Sequence, residues 1–358
     1  MTAFTYELAS VLRAQEQARP GDPEGAYAMP WYLVIGTPGT GRTMAIKALN
    51  MSWPHGDAPI PLNVPEQACT YWMPEKAVFI EPENTVIGAN RTHGRLQELC
   101  AELKAKRPRE PIDGIVLLVS AELLADSTDD GVDQYAKELR RYLIEVAQAL
   151  AADVPVYVVV TAYDSLWGFG DAFRWTPQRS DEEAWGFALR PNVVAAQAPE
   201  HVKLELEGLG ARIESMCFSK LADEDPPEVR ARAFQHLLEA RDLLRKLGDF
   251  MQVIAMANAF ERAPWVRSLV LGSGTPGTGD RLRYHVTELT NLGLGLPAQS
   301  GTPQPGGMPM HALLDAVLLP ERDLVPTQVR WRDDLLLILL MVGGILAWIT
   351  FIVLMFVW

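Results

Sequence analysis

"WYLVIGTPGTGRTMAIKAL", Trp31 to Leu49, sets a short β-rich apolar run, Trp31 to Ile35, ahead of a glycine loop and then a stretch of helix formers from Thr43 to Leu49. Strand, glycine loop and helix in that order are what a phosphate-binding unit requires. A P-loop reads G-x-x-x-x-G-K-[ST], in which glycines let backbone N–H groups converge on phosphate, the lysine neutralises charge and the hydroxyl holds Mg²⁺. Gly36, Gly41 and Thr43 stand in register, with Gly39 between them, but the lysine position holds Arg42. A guanidinium is planar and donates in a fixed fork, so it keeps the charge and loses the shape. The hexapeptide recurs at Gly274 to Gly279, where Asp280 stands at the cation position. A carboxylate there repels polyphosphate, and the second copy reads as a turn. The first reads as a P-loop-like strand-to-helix junction, with GTP or ATP and Mg²⁺ as the cofactors it would take.

The surrounding pattern is that of an α/β domain. "GIVLLVS", Gly114 to Ser120, and "VPVYVVV", Val154 to Val160, are continuous apolar runs of strand length, as fully buried parallel strands are. Ala77 to Ile80 and Val86-Ile87 suggest short strands, and a helix is expected over 92–106. Val132, Tyr135, Leu139, Tyr142, Val146 and Leu150 recur at three- and four-residue steps and predict an amphipathic helix, with "STDDGVDQ", Ser127 to Gln134, as its start signal. Strands alternating with helices over 31–165 imply a doubly wound sheet. Helices then follow at about 195–222 and from Asp225, taken as a cap ahead of Pro226. The expected division is an N-terminal amphipathic helix and linker, 1–26; a P-loop NTPase-like domain, 27–175; a helical subdomain, 176–263; a mixed segment with a Gly/Pro-rich connector, 264–330; and a transmembrane helix, 331–358.

That last element rests on "LLLILLMVGGILAWITFIVLMFVW", Leu335 to Trp358, which is 24 residues without a charge. As a helix it would be roughly 36 Å long at about 1.5 Å per residue, enough to cross a bilayer. Arg330 and Arg332 precede it and no Lys or Arg follows, which places the large N-terminal portion on the cytoplasmic side of a single-pass protein. The Gly343-Gly344 pair would permit close helix approach within the bilayer. A net charge of −13 argues against contact with nucleic acid. Three well-separated cysteines argue against a disulfide framework, and six histidines without HxxxH or HExxH spacing against a metal site. No GxSxG or nucleophilic cysteine signature occurs.

"YAMPWYLVIGTPGTGRT" resembles the opening of the cytoplasmic domain of IcmF/TssM proteins, the inner-membrane anchors of type VI and related secretion machines. "IDGIVLLVSAELLA", "DVPVYVVVTAYDSLWGFGDAF", "DEEAWGFAL", "PWVRSLVLGSGTPGTG" and "LLPERDLVPTQVRWRDD" continue the likeness in order over about residues 27–358. Members of that family usually begin with two membrane helices and continue past a third, so the resemblance covers the cytoplasmic portion and one span.

The resemblance also marks where nucleotide motifs should stand, and they are worn. The Asp-Thr-Ala-Gly loop expected after the Ala77 strand appears as Glu81-Pro82-Glu83-Asn84, in which Asn84 replaces the reporting glycine and Pro82 has no N–H. The base-reading loop is Thr161-Ala162-Tyr163-Asp164: Asp164 could still pair with a guanine edge, while Ala162 replaces the packing lysine. The resemblance therefore implies an inner-membrane scaffold in a multi-subunit complex, with hydrolysis weak or absent. Its implied partners are an IcmH/DotU/TssL-like membrane protein and baseplate-side proteins. The rival expectations are a working GTPase or ATPase switch, with Glu81 or Glu83 assisting Mg²⁺, and an adaptor in an unrelated membrane-anchored complex.

Overall fold

In the computed structural model, residues 2–49, 51–52, 58–62, 67–173, 185–190, 192–222, 225–257, 261, 263–272 and 313–325 are described. The second glycine hexapeptide, Gly274 to Gly279, and the apolar run from Leu335 lie outside the described residues. No helix among the described residues is long and apolar enough to cross a membrane.

Among the described residues seven strands form one sheet, in the order β2-β3-β1-β4-β5-β7-β6. These are β1 (Trp31–Ile35), β2 (Cys69–Trp72), β3 (Val78–Pro82), β4 (Gly114–Ser120), β5 (Pro155–Thr161), β6 (Gly186–Ala188) and β7 (Trp265–Leu271). The five inner strands are parallel, while β2 and β6 run antiparallel at the two edges. Strands β1, β4 and β5 are buried along their whole length, which is why their sequences carry no polar alternation. From β1 the chain goes first to one side of the sheet, through β3, and then to the other, through β4. The two adjacent crossovers open a crevice at the carboxyl end of β1, where doubly wound sheets place their ligands.

Both faces are covered, as a parallel sheet requires. One carries α1 (Ala3–Ala18), α3 (Arg95–Lys106), α5 (Asp129–Leu150) and the paired long helices α7 (Ala198–Ala222) and α8 (Pro227–Ala255). The other carries α2 (Arg42–Ala48) and, from far along the chain, residues 313–325, whose Leu313, Leu314 and Leu318 pack on Val34, Val116, Leu118 and Val159. The short helices are α4 (Ala121–Asp126) and α6 (Phe169–Phe173) among the described residues.

Several local expectations hold. Thr128 caps α5 by accepting from the Gly131 N–H at 3.2 Å, and its apolar stripe is buried. Others shift. Val86 and Ile87 are buried but lie in a turn, since the N–H groups of both donate back to the Glu83 carbonyl and make no ladder. Helix α8 starts one residue later than expected, with Pro226 extended at the cap and Pro227 as its first residue. Two prolines in series exclude the earlier start, because the residue before a proline is pushed out of the helical region.

Candidate functional site

The glycine loop leaves the carboxyl end of β1 and is shaped by backbone demands that only glycine meets cheaply. Gly39 and Gly41 have φ of 90° and 72°. A side chain on Gly36 would stand 2.6 Å from Thr40 Oγ1 and 3.1 Å from Leu118 Cβ. The loop closes on itself, for the Thr40 N–H and hydroxyl both donate to the Thr37 carbonyl, at 3.2 and 2.9 Å. It is pinned to β5 by Thr161, whose hydroxyl donates to the Thr40 carbonyl at 2.8 Å.

Arg42 and Thr43 follow, and both turn to β3. The Arg42 guanidinium donates to the Pro82 carbonyl at 2.7 Å and to Asn84 Oδ1 at 3.4 Å, and its Nε lies 3.6 Å from Glu81 Oε1. The Thr43 hydroxyl divides its proton between the two Glu81 oxygens, at 3.1 and 3.2 Å. Trp72, on the antiparallel edge strand, adds an indole N–H to Glu81 Oε2 at 3.0 Å. Glu81 is thus a buried carboxylate held by one cation and two neutral donors, an arrangement that satisfies its charge. The charge-assisted bond from Arg42 to the Pro82 carbonyl is worth about 1.5–3 kcal/mol. A phosphate drawing Arg42 into the glycine loop would have to replace that bond and leave Glu81 facing an anion.

The β5 exit loop sits beside this cluster. Ala162 has φ 58°, in the left-handed region, and turns the chain into a tight 3₁₀ turn, Tyr163–Ser165. The Tyr163 N–H donates to the Gly272 carbonyl, so the ends of β5 and β7 are tied together. Asp164 is only 3% exposed, inside the turn. The structure therefore brings Gly36, Gly39, Gly41, Arg42 and Thr43 to one crevice, with Asp164 buried in the neighbouring loop.

Helix α8 holds that loop from behind. His236 is fully buried, with Nδ1 donating to the Trp167 carbonyl at 3.2 Å, which leaves Nε2 to accept from the Tyr163 hydroxyl at 3.3 Å. Phe169 and Phe173 stand edge-on to its ring. Burial pushes its pKa down to about 4, so the imidazole stays neutral as a structural spacer. Among the described residues no group of three or more His, Cys, Asp or Glu side chains is placed to hold a metal ion. Trp72 is the cluster member that the motif reading passes over, and it carried no signal, because its role depends on strand pairing. Thr161 stands at the head of the base-reading loop, but its bond to the Thr40 carbonyl is not part of that motif.

The family model described as IcmF-related N-terminal domain matches residues 89–346. The chain is also 27% identical over 343 residues to the type VI secretion system component TssM1 of Pseudomonas aeruginosa, covering 91% of this chain and 31% of that protein. The chain thus spans about a third of that relative's length. The ordered motifs from Trp31 to Asp334, the strands they form and the match across most of the sequence agree, and the chain belongs to the IcmF-related N-terminal domain family.

Proposed function

We propose that this chain is a structural component of a type VI-like protein secretion apparatus. In this reading Leu335 to Trp358 moors it to the inner membrane, the large N-terminal portion is cytoplasmic, and the P-loop-like sheet serves as a docking scaffold for an IcmH/DotU/TssL-like protein and baseplate-side proteins. Family membership and the similarity to TssM1 support the secretion role. The single observation that carries the scaffold reading is the destination of Arg42. The one cation at the lysine position is spent on Pro82, Asn84 and Glu81. Pro82, in the loop that would report a γ-phosphate, has no N–H to offer. As they stand, these residues do not fit a magnesium triphosphate, and no hydrolytic step is assigned to them.

One observation favours the switch reading instead: Thr43 and Glu81 pair a hydroxyl with a carboxylate, the two ligand types that hold Mg²⁺ beside a P-loop. Complementation separates the two. In a strain lacking the native gene, Thr43→Ala is expected to secrete as wild type does, because a scaffold loses only one hydrogen bond to a carboxylate, worth about 1.5–3 kcal/mol, while Arg42 and Trp72 still hold Glu81. Secretion abolished by Thr43→Ala while the protein accumulates normally would favour the switch and overturn the scaffold.

A further inference from the structure

Residues 313–325 close the second face of the sheet and run toward the end opposite the glycine loop. The segment starts against α2, where Leu313 and Leu314 pack, and proceeds through a π-helical turn, Leu314–Leu318. Lys76, just ahead of β3, meets Asp315 at 2.8 Å. The Leu318 carbonyl accepts from the hydroxyl of Tyr32, the second residue of β1, at 2.6 Å. Glu321 pairs with Arg267, the third residue of β7, through Nε at 3.1 Å and through Nη2. Arg267 is wholly buried, and its other donors reach the Leu189 and Arg190 carbonyls. Asp323 lies near Glu110 and Asp113, at the entrance to β4, where its charge adds to burial in raising those carboxyls to about 7 and about 6. The polar anchors from Asp315 onward lie toward the amino ends of the parallel strands, whereas Gly36 to Thr43, Glu81 and Thr161 are at their carboxyl ends.

From Val325 to Leu335 the chain advances ten residues. Their contour cannot exceed about 35 Å in any conformation. A domain of this length has a radius of gyration of about 20 Å and is roughly 50 Å across. The tether is too short to pass around the domain and present its far end to lipid.

We propose that the amino-end edge of the sheet faces the bilayer, that the Gly36–Thr43 crevice faces away from it into the cytosol, and that residues 313–325 fix this orientation. This rests on Leu335 to Trp358 being a membrane span, as proposed above. It places the crevice where a soluble assembly can reach it, and the opposite edge at the lipid surface.

The test uses the full chain in vesicles of phosphatidylethanolamine and phosphatidylglycerol carrying an energy-transfer acceptor on the headgroups. Cys69, Cys100 and Cys217 are buried, so a thiol dye reports introduced positions. Glu75→Cys marks the amino-end edge and Ala89→Cys the crevice end. With the ends of the sheet about 20 Å apart, transfer from position 75 is expected to be at least about twofold greater than from position 89. Inserting about 20 Gly/Ser residues after Val325, a contour longer than the domain, is expected to abolish the difference. Flotation with equal or reversed transfer overturns the orientation while leaving the anchor intact. A difference that survives the insertion overturns the tether as its cause. A chain that fails to float with the vesicles overturns the anchor, and the orientation with it.

Discussion

Gly168→Ala is expected to destabilise the protein by at least about 4 kcal/mol, in the far tail of point-mutation effects. Gly168 has φ 74°, and a Cβ there would stand 2.1 Å from the Arg232 carbonyl oxygen and 2.9 Å from its carbon. Those are backbone atoms inside α8, so no side-chain rotation relieves the overlap. The helix can withdraw only by breaking the buried Arg232–Asp171 ion pair and the His236 contacts with Trp167 and Tyr163. Domains of this kind have about 5–15 kcal/mol of stability in all, so the change removes a large part of it. Thermal and urea unfolding of the purified full chain in detergent measure the loss. A midpoint within a few degrees of wild type would show that the β5 exit loop does not depend on its approach to α8.

Glu321→Ala is expected to cost about 3–5 kcal/mol, the usual penalty when one partner of a buried ion pair is removed. Arg267 is buried at the centre of the pair and, among the described residues, keeps two backbone carbonyls and the face of Trp265 but no anion once the carboxylate is gone. Release of the segment would also uncover Val116, Leu118 and Val159 on the second sheet face. Glu321→Gln, which retains shape and an acceptor, should cost less. Urea midpoints for the two variants check the order, and equal small effects would mean that 313–325 contributes little to the fold.

How much of this was legible beforehand depends on whether a signal was local. Strands β1, β4 and β5 declare themselves as apolar runs because both faces of a central parallel strand are covered. Helix α5 declares itself by its stripe. Strand β6 has three residues and forms only because β7 offers an open edge, so nothing in "GFA" announces it. Helix α4 has six residues, too short for a period to show. Val86 and Ile87 misled because burial without ladder bonds gives the same apolar letters as a strand. The segment 313–325 falls in the mixed stretch 264–330 with no element of its own expected there, and its place in the core follows from partners more than forty residues away in sequence, notably Arg267 and Tyr32.

The site divides the same way. Gly36, Gly39, Gly41 and Thr43 were legible because the motif is contiguous and its glycines answer to backbone geometry. The departure at Arg42 was visible too. Where its guanidinium goes was not, since Glu81, Pro82 and Asn84 reach it only through the pairing of β1 with β3. Asp164 was named as a base reader on the strength of its place in a motif, and its burial comes from the 3₁₀ turn set by Ala162.

The measurement closest to the central claim is calorimetric titration of the purified full chain with GTP and ATP in the presence of Mg²⁺, with phosphate release followed in parallel. With Arg42 committed to Glu81 and the β3 exit loop, neither nucleotide is expected to give a saturable heat, and phosphate release should stay at the buffer rate. Micromolar binding with Mg²⁺-dependent turnover that disappears in Thr43→Ala would contradict the account.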